Sequence, residues 1–301
     1  MPGNLDVDRI VGGINQQYLA DILVRLAKVP TEVPLGSDTL IEPDDPKLVH
    51  YVQQVLRPEL QSLGVQNIAD VPRNQLVVTY GSGASDASLL VMVYTPTQHH
   101  NLMNDPFSGK VANAAEWGFD EPCVFGQGVG QNKSHQAIMM AVLKALVEQN
   151  VVLSGTLYFA VNNEGRSSHR CSDAILDSLG QKPEFAILMT RTGKGISLGN
   201  RGRVDANIEV RGKASHSSVP GQGLSAIEGA NEVLNRLKKV PLEGKHPLLG
   251  ERHAIAYQLL FEPLAPHTLP EVARLRVDRR LLPCDDPAVA VGDIRDTVGD
   301  M

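Results

Sequence analysis

The sequence has little cysteine, no surplus of positive charge and no long apolar run. Its three cysteines, Cys123, Cys171 and Cys284, are odd in number and far apart, so they favour a reducing compartment over a disulfide framework. Their spacing matches no zinc knuckle. No apolar stretch approaches the roughly 18 residues that a membrane-spanning helix needs. These absences predict a cytoplasmic protein that does not insert into a membrane.

The charge balance argues against a nucleic-acid partner. The formal net charge is -6, so the chain lacks the excess of positive charge that attracts phosphate backbones. The first residues include acids and no apolar signal-peptide core, so we expect no secretory leader. Hydrophobic residues make up 42% of the 301 residues, which is typical of a globular protein long enough for two domains.

Helical and extended patterns alternate over the first two-thirds of the chain. Apolar residues recur at helical spacing in four segments, 15–30, 47–64, 135–150 and 171–180. Strands are predicted in four others, 74–80, 88–96, 154–163 and 184–190. The runs at 88–96 and 184–190 are nearly continuous and apolar, as buried parallel strands are. This alternation predicts an α/β domain with helices on a central sheet.

The pattern changes near residue 199. Period-two alternation predicts half-exposed antiparallel strands at 202–213 and 271–283. Helical spacing predicts an amphipathic helix at 225–240, and polar composition predicts a loop at 242–253. We therefore expect an α/β domain over residues 1–198 and a smaller α+β domain over residues 199–301.

A glycine-rich turn, "GQGVGQNKSHQ" at residues 126–136, leads into a predicted helix and carries Gln131 at its centre. Glycine turns at helix N-termini can bind phosphate groups. This turn lacks the Gly-Lys-Ser/Thr ending of a phosphate-binding loop and fits the dinucleotide fingerprint poorly. A phosphate site therefore ranks below a hydrolase-type turn.

Five segments carry a wider resemblance in their order and spacing: "NDPFSGKV", "VFGQGVGQNKSHQAIMMAVLKAL", "GTLYFAVNNEGRSS", "GNRGRVDANIEVRGKASHSSVPGQGLSAIEGANEVLNRL" and "RVDRRLLPCDDP". Together they resemble the zinc-dependent aminoacylase, acetylornithine deacetylase and carboxypeptidase G family. The resemblance implies a zinc-exopeptidase-like central mixed sheet with flanking helices, and a smaller α+β lid that serves in dimerisation. It also implies amide hydrolysis by two zinc ions, which polarise the carbonyl and activate a bridging water.

Neutral or apolar residues stand at most positions where the resemblance places metal ligands and the base. The family's bridging aspartate corresponds to Gln131, its general-base glutamate to Asn163, and a further acid to Thr190. Its first histidine ligand corresponds to Val93 or Tyr94. Its last histidine belongs to a C-terminal segment that this sequence does not contain.

The next ligand position keeps its acid, Glu164. An amide oxygen is a weak zinc ligand and cannot offset the charge of two dications. Without zinc, clustered buried carboxylates would repel one another, whereas amides can form hydrogen bonds, so the replacements are mutually consistent. The resemblance thus leads us to expect a degenerate metal site with no bound cofactor. The adjacent His99 and His100 invite a metal site of their own, but solvated histidines are the favoured interpretation.

The predicted catalytic residues are Glu164 and His216. Glu164 follows a predicted buried strand and is either a surviving acid or base or a solvated loop carboxylate. His216 corresponds to the lid histidine that, in the family, reaches across a dimer to the substrate carbonyl. The residues predicted to contact substrate are Gln131, Asn163, Asn200 and Arg201. The alternative for Gln131 and Asn163 is that the two amides bond to each other, and for Arg201 it is a surface turn.

The resemblance implies a metallo-amidohydrolase or peptidase-family protein that acts on or binds a small N-acyl amino acid or dipeptide-like substrate. If the protein is an enzyme, we expect amide chemistry that does not depend on a metal ion. The alternative is a catalytically inactive member that serves as a ligand-binding or partner subunit. We expect a small amino-acid-like ligand, a homodimer formed through the lid, and no nucleic-acid or membrane partner. Because the family's chain returns from the lid to finish the catalytic sheet, a second chain that completes the fold is a further expectation.

Overall fold

The computed structural model describes residues 6–34, 41–98, 103–164, 169–190 and 195–299. The chain forms two compact units, Met1–Gly193 and Lys194–Met301. Among the described residues, no helix is long and apolar enough to cross a membrane. His99 and His100 lie outside the described ranges.

The first unit alternates helices with strands, as its sequence predicts. Its helices are α1 (Val7–Gly12), α2 (Gln16–Ala27), α3 (Pro46–His50), α4 (Arg57–Ser62), α5 (Ser134–Glu148) and α6 (Arg170–Ser178). Its strands are β1 (Asn67–Val71), β2 (Gln75–Tyr80), β3 (Ser88–Tyr94), β4 (Lys110–Ala112), β5 (Cys123–Phe125), β6 (Thr156–Asn162) and β7 (Phe185–Met189). A π-helical stretch, Tyr51–Leu56, joins α3 to α4.

Five of these strands form one mixed sheet in the order β1-β2-β6-β3-β7. β3 runs parallel to β6 on one side and to β7 on the other, whereas β2 is antiparallel to both β6 and β1. β3 and β6 are buried along almost their whole length, as their continuous apolar sequences predict. The predicted central mixed sheet is therefore confirmed.

Helices cover both faces at the centre of this sheet. On one face, α2, the π-helical stretch and α5 pack against Val91, Val93 and Phe159 in a single apolar cluster. On the other face, Ile175 of α6 packs against Leu90 in a smaller cluster. Burying a side chain of this size stabilises a fold by about 1.5–3 kcal/mol, so this two-sided packing fixes the central strands and the residues that follow them.

The edge strand β7 is more exposed than its sequence predicts. Phe185, Ile187 and Leu188 are 64%, 52% and 54% exposed, so the prediction of a buried strand at 184–190 was wrong in its burial. β7 is the last strand of the sheet, and β3 is its strand partner among the described residues. An apolar run typical of a covered strand therefore lies at an open edge.

The second unit is an antiparallel α+β domain, as predicted. Its strands are β8 (Gly202–Arg211), β9 (Ser215–His216), β10 (Lys245–His246), β11 (Gly250–Glu251), β12 (His253–Glu262), β13 (Thr268–Leu269) and β14 (Val272–Leu281). Its helices are α7 (Ala226–Leu237) and α8 (Pro287–Val298). The main sheet has the order β12-β14-β8, and α7 and α8 cover one face with a core that includes Val233, Leu275 and Ile294.

Two parts of this unit differ from the sequence-based expectation. The predicted loop at 242–253 contains the short pair β10 and β11. Strand β12 was not predicted, because a register shift between Ala256 and Gln258 breaks its period-two pattern and leaves an apolar run after the break.

One lysine, Lys133, lies fully buried in the first unit. Its ammonium nitrogen donates to the carbonyl of Val29 at 2.7 Å and lies 5.7 Å from the centre of the Phe107 ring. Burial lowers the pKa of Lys133 from 10.5 to about 8, although the charge of Glu32 opposes this shift. This side chain ties the glycine-rich turn to the end of α2.

Because the pKa of Lys133 is lower in the folded state, the unfolded chain binds one more proton than the folded chain between about pH 8 and 10.5. The free energy of unfolding should therefore rise with pH in that window, by at most ~1.4 kcal/mol per pH unit from this group. We expect Lys133→Met to remove this rise, as measured by urea unfolding at several pH values.

The matched control is Lys245→Met, since the Lys245 side chain is 69% exposed. It should keep the wild-type dependence on pH, and comparison with wild type cancels the contribution of the tyrosines. An unchanged pH dependence in Lys133→Met would contradict the buried-ammonium interpretation.

Candidate functional site

Three parallel strands end at the same edge of the first unit's sheet. Tyr94, the last residue of β3, pairs with Asn162, the last residue of β6, and Val93 pairs with Met189, the last residue of β7. In open α/β sheets, ligands bind outside the carboxyl ends of the strands. Residues that follow these strands, among them Asn163, are therefore candidates for a site.

The glycine-rich turn at 126–133 closes on this edge. The Thr97 hydroxyl donates to the Gln127 side chain at 2.6 Å, and the Asn132 side chain donates to the carbonyl of Pro96. Gly128 has a φ of 78°, and a Cβ there would collide with the Thr97 side chain. The glycine thus allows the turn to sit directly against the segment that leaves β3.

Gln131 stands in this turn with its backbone outside helical geometry, at φ -131° and ψ -117°. Its carbonyl accepts from the Ser134 hydroxyl at 2.9 Å. Its half-buried carboxamide makes no hydrogen bond to another part of the described chain, so it remains open to a ligand. The alternative that Gln131 and Asn163 bond to each other does not occur.

Asn163 is fully buried directly after β6. Its side-chain nitrogen donates to the carbonyl of Asn74 in the turn between β1 and β2. Its side-chain oxygen, Oδ1, finds no hydrogen-bond donor within the described ranges. A second buried oxygen without such a partner, Thr95 Oγ1, lies just past the end of the neighbouring strand β3. Buried polar atoms almost always form a hydrogen bond, so both oxygens are candidates to bond with a ligand or a water molecule.

Glu164 is also buried, but its carboxylate is engaged. Oε2 accepts from the backbone N–H of Cys171 at 2.9 Å, at the N-terminus of α6, where a negative charge is favourable. Burial, together with the charge of Glu164, raises the pKa of Tyr94. The pKa of Arg73 is raised mainly by its hydrogen bond to the Cys171 sulfur, and the charge of Glu164 adds a smaller contribution. Glu164 thus lies at the same strand edge, in a position that also stabilises α6.

The other predicted site residues belong to the second unit. Arg201 donates to the carbonyl of Glu251 at 2.8 Å and lies 3.3 Å from His253 Nδ1, so its guanidinium is held within its own unit. Asn200 is exposed and donates to the Arg201 carbonyl at 3.2 Å. His216 is exposed on β9. Asn163 and Glu164 therefore follow β6 at the strand edge, Gln131 lies in the turn that closes on that edge, and the roles of all six residues remain predictions.

Sequence reasoning missed Thr95 and Lys133. Thr95 stands one residue after β3, and its only sequence signal is its place at a strand end beside a proline. Lys133 follows Gln131 by two residues, and its sequence gives no sign that the ammonium is buried. Both depend on which atoms find partners, which the sequence does not specify.

The residues at this edge do not fit a pair of zinc ions. Within the described part of the chain, no group of three or more His, Cys, Asp or Glu side chains is arranged to hold a metal ion. Val93 is fully buried and apolar, and Asn163 already donates to a carbonyl. Glu164 supplies one carboxylate, whereas zinc sites take three or four protein ligands each. That the protein binds no metal stays a prediction.

Comparison with known proteins gives one matching family profile and several similar individual proteins. A family profile described as a peptidase dimerisation domain, of the M20 type, matches residues 198–301. The chain is 21% identical over 252 residues to the uncharacterized protein YgeY of Escherichia coli K12, covering 79% of this chain and 57% of that protein. It is 21% identical over 236 residues to the acetylornithine deacetylase of Buchnera aphidicola, covering 77% and 58%. The chain thus spans a little over half the length of these curated relatives.

Among solved structures, the fold is similar to that of the dipeptidase Dug1p from Saccharomyces cerevisiae. The TM-score is 0.71 at 13% sequence identity, over 97% of this chain and 76% of that chain. The likeness covers the mixed sheet and the smaller α+β domain, and at this identity it shows the fold alone. The dimerisation-domain match over residues 198–301 and the curated relatives support placing the chain in the M20 family of metallo-amidohydrolases.

Proposed function

We propose that the chain binds a small N-acyl amino acid or a dipeptide-like ligand at the carboxyl edge of its mixed sheet, without two-zinc chemistry. The observation that carries this proposal is the pair of buried oxygens without described partners, Thr95 Oγ1 and Asn163 Oδ1. A ligand amide offers an N–H donor and a carbonyl acceptor. The N–H suits Asn163 Oδ1, and the carbonyl can accept from the Thr95 hydroxyl.

Two neighbouring side chains support binding over catalysis. The Gln131 carboxamide can donate to and accept from a ligand, but it cannot take up a proton as a general base. Glu164 accepts the backbone N–H of Cys171, which anchors its carboxylate to α6. This edge therefore recognises polar, uncharged groups better than it activates water.

Metal-independent amide hydrolysis is the second candidate, favoured by the burial of Glu164 beside Tyr94. Glu164 would take a proton from water while the water oxygen attacks the ligand carbonyl carbon. The proton would pass to the leaving amine as the C–N bond breaks. His216 from a second copy would donate to the carbonyl oxygen, as the family resemblance implies. Release of amine from N-acyl amino acids, lost in Glu164→Gln, would favour this candidate.

Zinc analysis of the purified protein separates both candidates from an ordinary two-zinc enzyme. We expect no stoichiometric zinc, manganese or cobalt and no change in ligand affinity when zinc is added. Two tightly bound zinc ions per chain would rule out the proposed function.

The homodimer belongs to the same proposal. The match to a dimerisation domain over 198–301 supports it, and β12 is the surface we propose for it. β12 is an edge strand of its sheet and exposes Ile255, Tyr257 and Leu260, which are 59%, 50% and 43% exposed. An exposed apolar edge strand favours association with another chain.

A second chain that completes the fold remains a separate proposal. Its support is the exposed apolar strand β7, where Phe185, Ile187 and Leu188 lie at an open sheet edge. A strand added along β7 would pair its backbone and shorten the exposed edge. Co-purification of a partner that protects β7 amides from hydrogen exchange would support it.

Thr95→Val should weaken binding of an N-acyl amino acid while leaving the fold as stable as before or more so. Valine has nearly the shape of threonine, and the hydroxyl that it replaces is buried without a described partner, so its loss should raise the free energy of unfolding by up to about 1 kcal/mol. Loss of its bond to a ligand should weaken affinity about tenfold. Calorimetric titration with a panel of N-acetyl amino acids and urea unfolding measure the two quantities.

Thr97→Val is the matched control for Thr95→Val. The Thr97 hydroxyl donates to Gln127 at 2.6 Å and lies 3.1 Å from the Thr31 hydroxyl, so its loss should lower stability by about 1 kcal/mol. If Thr95→Val instead bound the panel as wild type does, Thr95 would have no part in recognition.

Leu260→Lys should dissociate the proposed dimer. A charged side chain on an edge strand opposes strand pairing, so we expect the dimer dissociation constant to rise at least about tenfold. Sedimentation equilibrium measures this constant. Leu264→Lys is the control, because Leu264 is 85% exposed but lies beyond the end of β12. A dimer that survives Leu260→Lys unchanged would exclude β12 as its interface.

A further inference from the structure

The turn between β1 and β2 places an arginine beside the candidate site. In this turn the carbonyl of Asn74 accepts from the Asn163 side chain. Arg73 precedes Asn74, and its Nε donates to the Cys171 sulfur at 3.3 Å. The backbone N–H of Cys171 in turn donates to Glu164, the residue that follows Asn163. Two series of contacts therefore connect Arg73 to the residues at the end of β6.

The guanidinium of Arg73 is held at Nε and open at its other two nitrogens. Neither Nη1 nor Nη2 forms a hydrogen bond within the described part of the chain. The side chain is 31% exposed, so a molecule in solution can reach it. A guanidinium presents its N–H groups as a flat fork that matches the two oxygens of a carboxylate. Arg73 therefore has unbonded donors that suit a carboxylate.

One carboxylate of the protein already approaches these donors without bonding to them. Glu42 Oε2 lies 3.8 Å from Arg73 Nη2, which is too far for a hydrogen bond. The carbonyl of Pro43 accepts from the Asn74 side chain at 3.1 Å, and this contact keeps Glu42 near the turn. The Glu42 side chain is 70% exposed, so water screens the pair and it contributes little to stability. A ligand carboxylate that comes closer can therefore displace Glu42.

The turn that carries Arg73 is held on several sides. Arg73 and Asn74 have φ values of 69° and 56°, in the left-handed region that asparagine adopts readily and arginine rarely. The Asn74 side chain also accepts from Gln53 at 3.1 Å. The buried Gln75, directly after the turn, donates to the carbonyl of Cys171 at 3.1 Å. Because these contacts fix the turn before a ligand arrives, binding through Arg73 costs less conformational entropy.

We propose that Arg73 binds the carboxylate of the ligand whose amide N–H bonds to Asn163 Oδ1. This role for Arg73 rests on the proposed function and deepens it, because it assigns the second polar group of an N-acyl amino acid to a residue of the same unit. One carbon atom separates the amide nitrogen of such a ligand from its carboxyl carbon, so the two partners must be close neighbours. The turn and the start of α6 bring Asn163 and Arg73 together in this way.

Two acids of the protein oppose a ligand carboxylate at Arg73. The charges of Glu164 and Glu42 both act on its guanidinium. Glu164 is buried and accepts the backbone N–H of Cys171, whereas Glu42 is exposed. Removing the charge of Glu42 should therefore strengthen the binding of an acid, an effect that a merely structural role of Arg73 would not produce.

The test compares N-acetylalanine with N-acetylalaninamide, in which a carboxamide replaces the carboxylate. Calorimetric titration of the full chain should give about tenfold higher affinity for the acid than for the amide. Arg73→Gln should abolish this preference, because glutamine carries no charge. Glu42→Gln should increase the preference about two- to fivefold.

Arg25→Gln is the matched control, since it changes the net charge equally at a side chain that is 51% exposed and pairs with Glu59. It should keep the wild-type preference. Should urea unfolding show that Arg73→Gln does not fold, Arg73→Lys replaces it. Lysine keeps the charge but lacks the fork, so the preference should fall at least about threefold. A preference that survives the Arg73 variant, or that Glu42→Gln lowers, would overturn the role of Arg73.

Failure of this role and failure of the proposed function give different results. Equal affinity of wild type for both probes overturns the role of Arg73 and leaves the proposed amide site intact. If wild type binds neither probe, the proposed ligand class is wrong, and carboxylate binding is tested alone with sodium acetate. Nuclear magnetic resonance then follows the Nε–H signal of Arg73, assigned by its loss in the Arg73 variant. A saturable shift supports carboxylate binding at Arg73, and an unchanged signal overturns it.

Discussion

The common direction of three strands decides where polar groups gather in the first unit. Because β6, β3 and β7 run parallel, the residues that follow them meet at one edge of the sheet. The glycine-rich turn closes on that edge, since Gly128 brings no side chain against Thr97. Polar groups placed there lose water and must be matched by a neighbour or by a ligand, at a cost of about 1–3 kcal/mol each when they are not. Asn163 and Thr95 meet that requirement only in part, which is why this edge is the candidate site.

The amides at this edge are fitted to their surroundings. Asn163 donates to the carbonyl of Asn74, a contact that a carboxylate in the same place could not make, because it would oppose one acceptor with another. An ionised acid at position 163 would therefore repel the carbonyl of Asn74. Glu164 is the complementary case: its acid persists, and it accepts an N–H at the start of α6. Asn163 and Glu164 thus both take part in holding the fold through their hydrogen bonds.

The sequence predicted the alternation of helices and strands, the mixed sheet and the smaller domain, because long apolar runs and clear periodicities are local features of the chain. The predictions failed where the structure depends on residues that are distant along the chain. The burial of β7 depends on what lies beyond the sheet edge, and β12 is hidden by an irregularity at Ala256. At the site, the motif positions named Gln131, Asn163 and Glu164, whose roles stay predictions. Thr95 escaped notice because its interest lies in a buried hydroxyl without a partner among the described residues, which the sequence does not reveal.

The strand edge of the first unit has the hydrogen-bonding chemistry that suits an amide. Among the described residues, Asn163 Oδ1 has no donor and the Thr95 hydroxyl has no acceptor, whereas an amide offers both an N–H and a carbonyl. This match requires no metal ion, because it pairs each donor with an acceptor and leaves no cluster of charges to be neutralised. Recognition by hydrogen bonds alone is therefore consistent with the neutral side chains of Gln131 and Asn163 at this edge.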